Sequence, residues 1–72
     1  MTNSIFTLYP GFGSNNIVLT LQHRLSELGY YSGVLHGKYD DATTHAVKAY
    51  QEDNGIAADG ICYPETLQKL FP

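Results

Sequence analysis

The residues of this chain that could do chemistry are three histidines, seven carboxylates, one cysteine and six tyrosines. His23, His36 and His45 offer no i, i+4 pair, and no Cys-x-x-Cys accompanies them. A zinc site needs three or four convergent ligands, so no metal centre is expected. Asp40-Asp41 and Asp59 could in principle act as an acid and base on a glycan. Helix capping accounts more simply for the first pair, and turn formation for Asp59-Gly60. Cys62 lacks a His-Asn context for nucleophilic work and reads as a small semi-buried apolar residue. No catalytic constellation emerges, so neither enzymatic activity nor a cofactor is expected. The tyrosines are different, because an exposed ring can stack on the apolar face of a sugar while its hydroxyl bonds outward. Tyr63 has no evident place in a core, and adjacent Tyr30 and Tyr31 cannot both face the same way.

Positioning these groups falls to three helices. Val18, Leu21, Leu25 and Leu28 recur at helical spacing and predict a first helix over about Asn15 to Leu28, stopped by Gly29. The second helix is expected from Asp41 to Asp53, capped by Asp40, striped by Ala46, Val47 and Tyr50 and ended by Asn54-Gly55. The third opens at Pro64, a residue suited to the first helical position, and runs through Leu67, Leu70 and Phe71. Between them lie two glycine-containing loops. Residues 1–14 form an irregular arm whose Ile5, Phe6, Leu8, Tyr9 and Phe12 are expected to lie back on a body comprising residues 15–72. Leu21, Leu25, Val47, Tyr50 and Leu67 are the expected core.

The chain repeats itself. Val18-x-x-Leu21-Gln22, Leu28-Gly29-Tyr30 and His36-Gly37 with Thr43 are answered by Val47-x-x-Tyr50-Gln51, Asn54-Gly55-Ile56 and Asp59-Gly60 with Thr66. The offset between copies shortens from 29 to 26 to 23 residues along the phrase. This is a helix-plus-turn unit duplicated within one small domain. Gln22 and Gln51 sit beside core positions, where a half-buried amide must find partners in a loop. Thr43 and Thr66 fall in first helical turns, where a hydroxyl commonly bonds nearby backbone.

Size and charge narrow the function. In 72 residues there is room for one modest core, unsupported by any intrachain disulfide because Cys62 is alone. Four Lys/Arg against seven Asp/Glu give a net charge of −3, and the four cations are scattered. A nucleic-acid reader needs a basic face, so that class of partner is not expected. No apolar run is long enough to span a membrane, and without a basic-plus-apolar pattern in the first residues no signal peptide is expected.

The run Val18-x-x-Leu21-Gln22-x-x-Leu25-x-x-Leu28-Gly29-Tyr30-Tyr31-x-Gly33, then Gly37-x-Tyr39-x-x-x-Thr43-x-x-Ala46-Val47-x-x-Tyr50-Gln51, then Gly55-Ile56-x-x-Asp59-Gly60-Ile61-x-x-Pro64-x-Thr66-x-x-x-Leu70, closely resembles the peptidoglycan-binding domain family. The resemblance covers about Val18 to Leu70. It implies an all-α fold, a small three-helix orthogonal bundle with internal duplication. It further implies non-catalytic binding of bacterial peptidoglycan, targeting an attached or partner cell-wall hydrolase to its substrate. The expected setting is the cell wall or extracellular space, reached by other means or through a phage, with the chain a monomer. Departures from the family pattern lie in the loops. His36 replaces an aspartate, Asp40-Asp41 stands where Gly-Pro is usual, and Cys62-Tyr63 replaces a small pair. The expected ligand site is a shallow groove between the repeats, floored by the two turns and formed by Tyr31, His36, Tyr39, Thr43, Gln51, Asp59 and Tyr63. The alternative is a protein-interaction or assembly module that keeps the fold without binding wall.

Overall fold

The structure, a computed structural model, describes residues 7–11 and 16–72. Three helices follow in chain order: α1 (Asn16–Glu27), α2 (Asp41–Asp53) and α3 (Pro64–Leu70). Among the described residues there is no strand beyond a single antiparallel bridge, Leu8 to Cys62. The architecture is all-α, and α2 has the bounds that the sequence predicts.

α1 and α2 end in the same way because each is followed by a glycine at positive φ, +88° at Gly29 and +69° at Gly55. The Gly29 and Tyr30 amides turn back to the Ser26 and Leu25 carbonyls, and the Gly55 and Ile56 amides to those of Glu52 and Gln51. This is the paired closure of a Schellman motif, used twice. The helix starts differ. Asp40 caps α2 by accepting the Thr43 N–H at 3.0 Å, whereas Tyr63 precedes α3 with no side-chain cap and Pro64 takes the first helical position.

The apolar faces meet in one core of Leu8, Val18, Leu21, Leu25, Tyr31, Tyr39, Ala46, Val47, Tyr50, Cys62 and Leu70. Leu67 is half-buried and packs against its edge. Leu28 departs from the expected stripe and is 41% exposed. Its position is the last before Gly29, where the chain leaves the helix and no longer presents a fixed helical face to the core. Tyr30 packs edge-on to Tyr50, with ring centroids 5.5 Å apart and planes at 90°.

The arm crosses both loops at repeat-equivalent points. Leu8 exchanges two backbone hydrogen bonds with Cys62, and Gly11 donates to the Tyr39 carbonyl at 3.1 Å. Leu8 is thereby buried, as expected of the arm, whereas Tyr9, expected to lie back beside it, is 48% exposed because neighbouring residues of an extended stretch face opposite ways; Ile5, Phe6 and Phe12 lie outside the described residues. α3 is fastened to α1 by the Arg24 Nε–H, which donates to the Leu70 carbonyl at 2.8 Å.

Candidate functional site

Both loops are held from below by a buried glutamine. Gln22 Oε1 accepts the backbone N–H groups of His36 at 3.2 Å and Gly37 at 2.9 Å. Its Nε2 donates to the Lys38 carbonyl at 2.9 Å and to Thr43 Oγ1 at 2.8 Å. Gln51 repeats the pattern, accepting from Gly60 N–H at 2.9 Å and donating to the Ile61 carbonyl at 2.9 Å and Thr66 Oγ1 at 3.3 Å. Both amides are fully buried, as are both threonines. Each glutamine therefore clamps a glycine, the carbonyl after it and a threonine of the next helix. The glycines are needed here: Gly60 has φ +80°, and a Cβ on it would stand 2.7 Å from Thr44 Cγ2.

The turns themselves match despite different side chains. In the second loop Asp59 Oδ1 accepts the Ile61 N–H, two residues on, at 3.0 Å. In the first, His36 Nδ1 accepts the Lys38 N–H at 3.0 Å, so the imidazole does the work of the aspartate. That bond leaves the proton of the neutral ring on Nε2, which donates to Asp40 Oδ2 at 3.0 Å. Asp40 in turn accepts from the Thr43 backbone and hydroxyl. The backbone N–H of Thr43 is the largest influence holding the Asp40 carboxyl below its ordinary range.

Of the seven sequence-predicted site residues, the structure places four inside the fold. Gln51 and Thr43 are fully buried and engaged as described. Tyr31 is the inward member of its pair, buried, with its hydroxyl donating to the Val34 carbonyl at 2.6 Å. Tyr39 is buried between the loops and donates to the Gly60 carbonyl at 2.6 Å. Burial pushes its phenol far up, and likewise raises the Cys62 thiol to about 11. The other three, His36, Asp59 and Tyr63, are on the surface, with Tyr63 46% exposed. Tyr30, the outward member of its pair, donates to Asp53 Oδ2 at 2.7 Å. That bond, above all, raises its phenol.

A shallow depression of about 410 Å³ opens between α1 and the first loop, lined by Leu19, Thr20, His23 and Leu35. None of these was a sequence-predicted site residue. The signal that could have found them is the comparison between copies. Leu19, Thr20 and His23 correspond to Lys48, Ala49 and Glu52 at the helical offset, and Val34-Leu35 corresponds to Ala57-Ala58 at the loop offset. The first copy thus has uncharged-to-weakly-polar groups, with leucine at 19 and 35, where the second has lysine, glutamate and alanines. Among the described residues no three of His, Cys, Asp and Glu come together as a metal site.

Comparison with known proteins agrees with this architecture. Residues 14–70 match the family model described as "Putative peptidoglycan binding domain". The chain is 47% identical over 68 residues to N-acetylmuramoyl-L-alanine amidase CwlM of Mycobacterium tuberculosis, covering 90% of this chain and 17% of that protein. It therefore spans only a small part of that relative's length. Among solved structures, the SleB N-terminal domain superposes with a TM-score of 0.88 at 32% identity, over 96% of this chain and 93% of that one. The Burkholderia AP3 phage endolysin superposes at 0.84 with 35% identity, over 92% of this chain and 25% of the endolysin. By its duplicated helix-and-turn units, their matching glutamine clamps and these likenesses, the chain belongs to the peptidoglycan-binding domain family.

Proposed function

We propose that this chain is a non-catalytic, monomeric module that holds bacterial peptidoglycan and thereby keeps a linked or partner cell-wall hydrolase at its substrate. The observation that carries the reading is the family match over residues 14–70. CwlM is named as an amidase, and the chain's similarity to it over 17% of its length supports a role beside such an enzyme. Action at the cell wall or outside the cell follows from the ligand.

The division of labour proposed for the seven predicted residues follows their burial. His36, Asp59 and Tyr63 are available to a ligand at the surface, whereas Tyr31, Tyr39, Thr43 and Gln51 keep the turns in shape for them. A shallow, open surface of this kind should bind one wall fragment weakly, with a dissociation constant on the order of 10⁻⁴ to 10⁻³ M, or about 4 to 5.5 kcal/mol. Linked to an enzyme on an insoluble polymer, that suffices, because tethering raises the local substrate concentration without any new contact.

Incubation with purified sacculi tests the proposal. The chain should leave the supernatant with the sediment, and zymography on embedded walls should show no clearing by the chain alone. Retention in the supernatant, with a stable protein partner recovered instead, would favour an assembly module.

A further inference from the structure

The depression between α1 and the first loop is built on a fixed frame. The loop backbone is pinned on one side of Leu35 by Tyr31, which donates to the Val34 carbonyl at 2.6 Å, and on the other by Gln22, which accepts the His36 N–H at 3.2 Å. Between these pins Val34 is 73% and Leu35 40% exposed. A loop fastened at both ends thus exposes two branched apolar side chains where the second copy has alanines.

Polar chemistry is also in place. Thr20 donates its hydroxyl proton to the Asn16 carbonyl at 2.8 Å, which leaves the oxygen as an acceptor facing solvent. His23 is exposed, and its ring nitrogens make no hydrogen bond to protein among the described residues. No lysine or arginine lines the depression. Arg24, next in sequence to His23, is occupied with the Leu70 carbonyl and with Glu27. The whole chain carries a net charge of −3.

We infer that this depression receives the sugar strand of peptidoglycan through one uncharged N-acetylated hexosamine unit, as a subsite distinct from the turn residues His36, Asp59 and Tyr63. The inference rests on the wall-binding reading above and says which part of the wall is held. The stem peptides carry free carboxylates, and a carboxylate set into an acidic domain with no lining cation is opposed by charge. An N-acetylated sugar meets no such opposition. Its C–H face matches Leu19 and Leu35, its amide N–H can be accepted by Thr20 Oγ1, and its hydroxyls or amide carbonyl can bond to the His23 ring. The volume of about 410 Å³ lies within the range of small-molecule sites, about 300–1,000 Å³.

Nuclear magnetic resonance titration of the chain with the N-acetylglucosamine tetramer, and separately with a free stem pentapeptide, tests the assignment alongside sacculus sedimentation. The tetramer should shift the resonances of Leu19, Thr20, His23 and Leu35, and the pentapeptide should not. His23→Ala should melt like the parent, since that side chain is exposed, and Leu35→Ala, at a position 40% exposed, should stay folded while melting about 4–8 °C lower. Losing the Leu35 contact should weaken sacculus binding by about tenfold. If the parent chain binds sacculi but the tetramer leaves these four residues unshifted, or if the pentapeptide shifts them instead, the glycan assignment is wrong while wall binding stands. If both variants bind sacculi within about twofold of the parent, a loss too small for a lost contact, the site is elsewhere. If the parent chain fails to bind sacculi at all, the underlying reading falls and the inference falls with it.

Discussion

Replacing Gln22 by leucine asks how much of the first loop depends on one buried amide. The substitution keeps an apolar side chain of similar reach and removes four hydrogen bonds, those to His36 N–H, Gly37 N–H, the Lys38 carbonyl and Thr43 Oγ1. Their fates differ. His36 is a surface residue whose amide is only part-buried and open to water, Thr43 keeps Asp40, and the Lys38 carbonyl keeps the Asp40 N–H at 3.0 Å. The buried Gly37 N–H keeps nothing, and an orphaned buried donor costs about 1–3 kcal/mol. With about 0.5–1.5 kcal/mol for each bond lost outright, and some return from burying leucine, Gln22→Leu should cost about 2–4 kcal/mol. A chain of 72 residues has about 4–11 kcal/mol in all, at about 0.05–0.15 kcal/mol per residue. The loss should therefore lower the melting temperature by about 10–25 °C, and urea unfolding followed by circular dichroism should give the matching shift in midpoint. Gln51→Leu, which orphans Gly60 N–H in the same way, should behave alike. Gln22→Glu refines the test. Its carboxylate can still accept from Gly37 but faces the Lys38 carbonyl where a donor is needed, so its folded pKa is raised. Stability should then be best below the unfolded carboxylate pKa and decline as pH rises through the folded one, relative to the parent at each pH. A Gln22→Leu variant within about 0.5 kcal/mol of the parent would refute the clamp, because it would mean that the turn holds its own shape.

Two further outcomes follow from single buried or capping groups. Cys62 is fully buried with its thiol raised to about 11, so a thiol-specific alkylating reagent should label it slowly under native conditions and fully in concentrated guanidinium. Rapid stoichiometric labelling of the folded chain would contradict the placement of Cys62 against Leu8 and Tyr39. Asp40→Ala should cost about 1 kcal/mol at neutral pH through loss of the α2 cap. Because the native Asp40 carboxyl is held below its ordinary range, its contribution is complete above the unfolded value of about 3.9 and disappears as pH falls through the lower folded value. The difference in urea midpoint between parent and variant should shrink over that acidic interval. A gap of constant size there would show that the carboxylate's charge and acceptor strength are not what the cap uses.

The helices were legible in the sequence because their signals are local. Asp40, Asn54-Gly55 and Pro64 mark boundaries within one turn of where they act, and the spacing of Val18, Leu21 and Leu25 is itself the buried face. Leu28 satisfied the same spacing and is exposed, because periodicity does not register that the helix has begun to close. The adjacent tyrosines showed the same limit at the loops. That they diverge follows from adjacency, but which one enters the core depends on where the Val34 carbonyl lies to accept the Tyr31 hydroxyl. Gln51, Thr43 and Tyr39 all hydrogen-bond to loop or cap groups, partners that lie too far off in sequence, or too close to a turn, for spacing alone to name. The depression is half legible, because the contrast between copies marks its residues without showing that they meet. Leu35 lines it together with Leu19 and His23 where Gln22 holds the first loop against α1, an arrangement made at long range.

The duplication separates what shapes the loops from what faces outward. The clamp is the same in both copies, glutamine to glycine, to the next carbonyl, to threonine. Even the substitution that departs from the family at position 36 leaves this intact, since His36 Nδ1 and Asp59 Oδ1 accept equivalent N–H groups. A histidine there therefore signals no new site while its Nδ1 is unprotonated. It does add a second bond, to Asp40, which has no counterpart at Tyr63 because that side chain makes no cap. With the backbone of the two turns held by the same means, differences in what they bind must come from side chains that the clamp leaves free. Among those are Val34 and Leu35 against Ala57 and Ala58, and Leu19 and His23 against Lys48 and Glu52. The second copy has the frame without the apolar surface. Both copies supply the core, and on the inference drawn above it is the apolar surface of the first that receives the sugar strand.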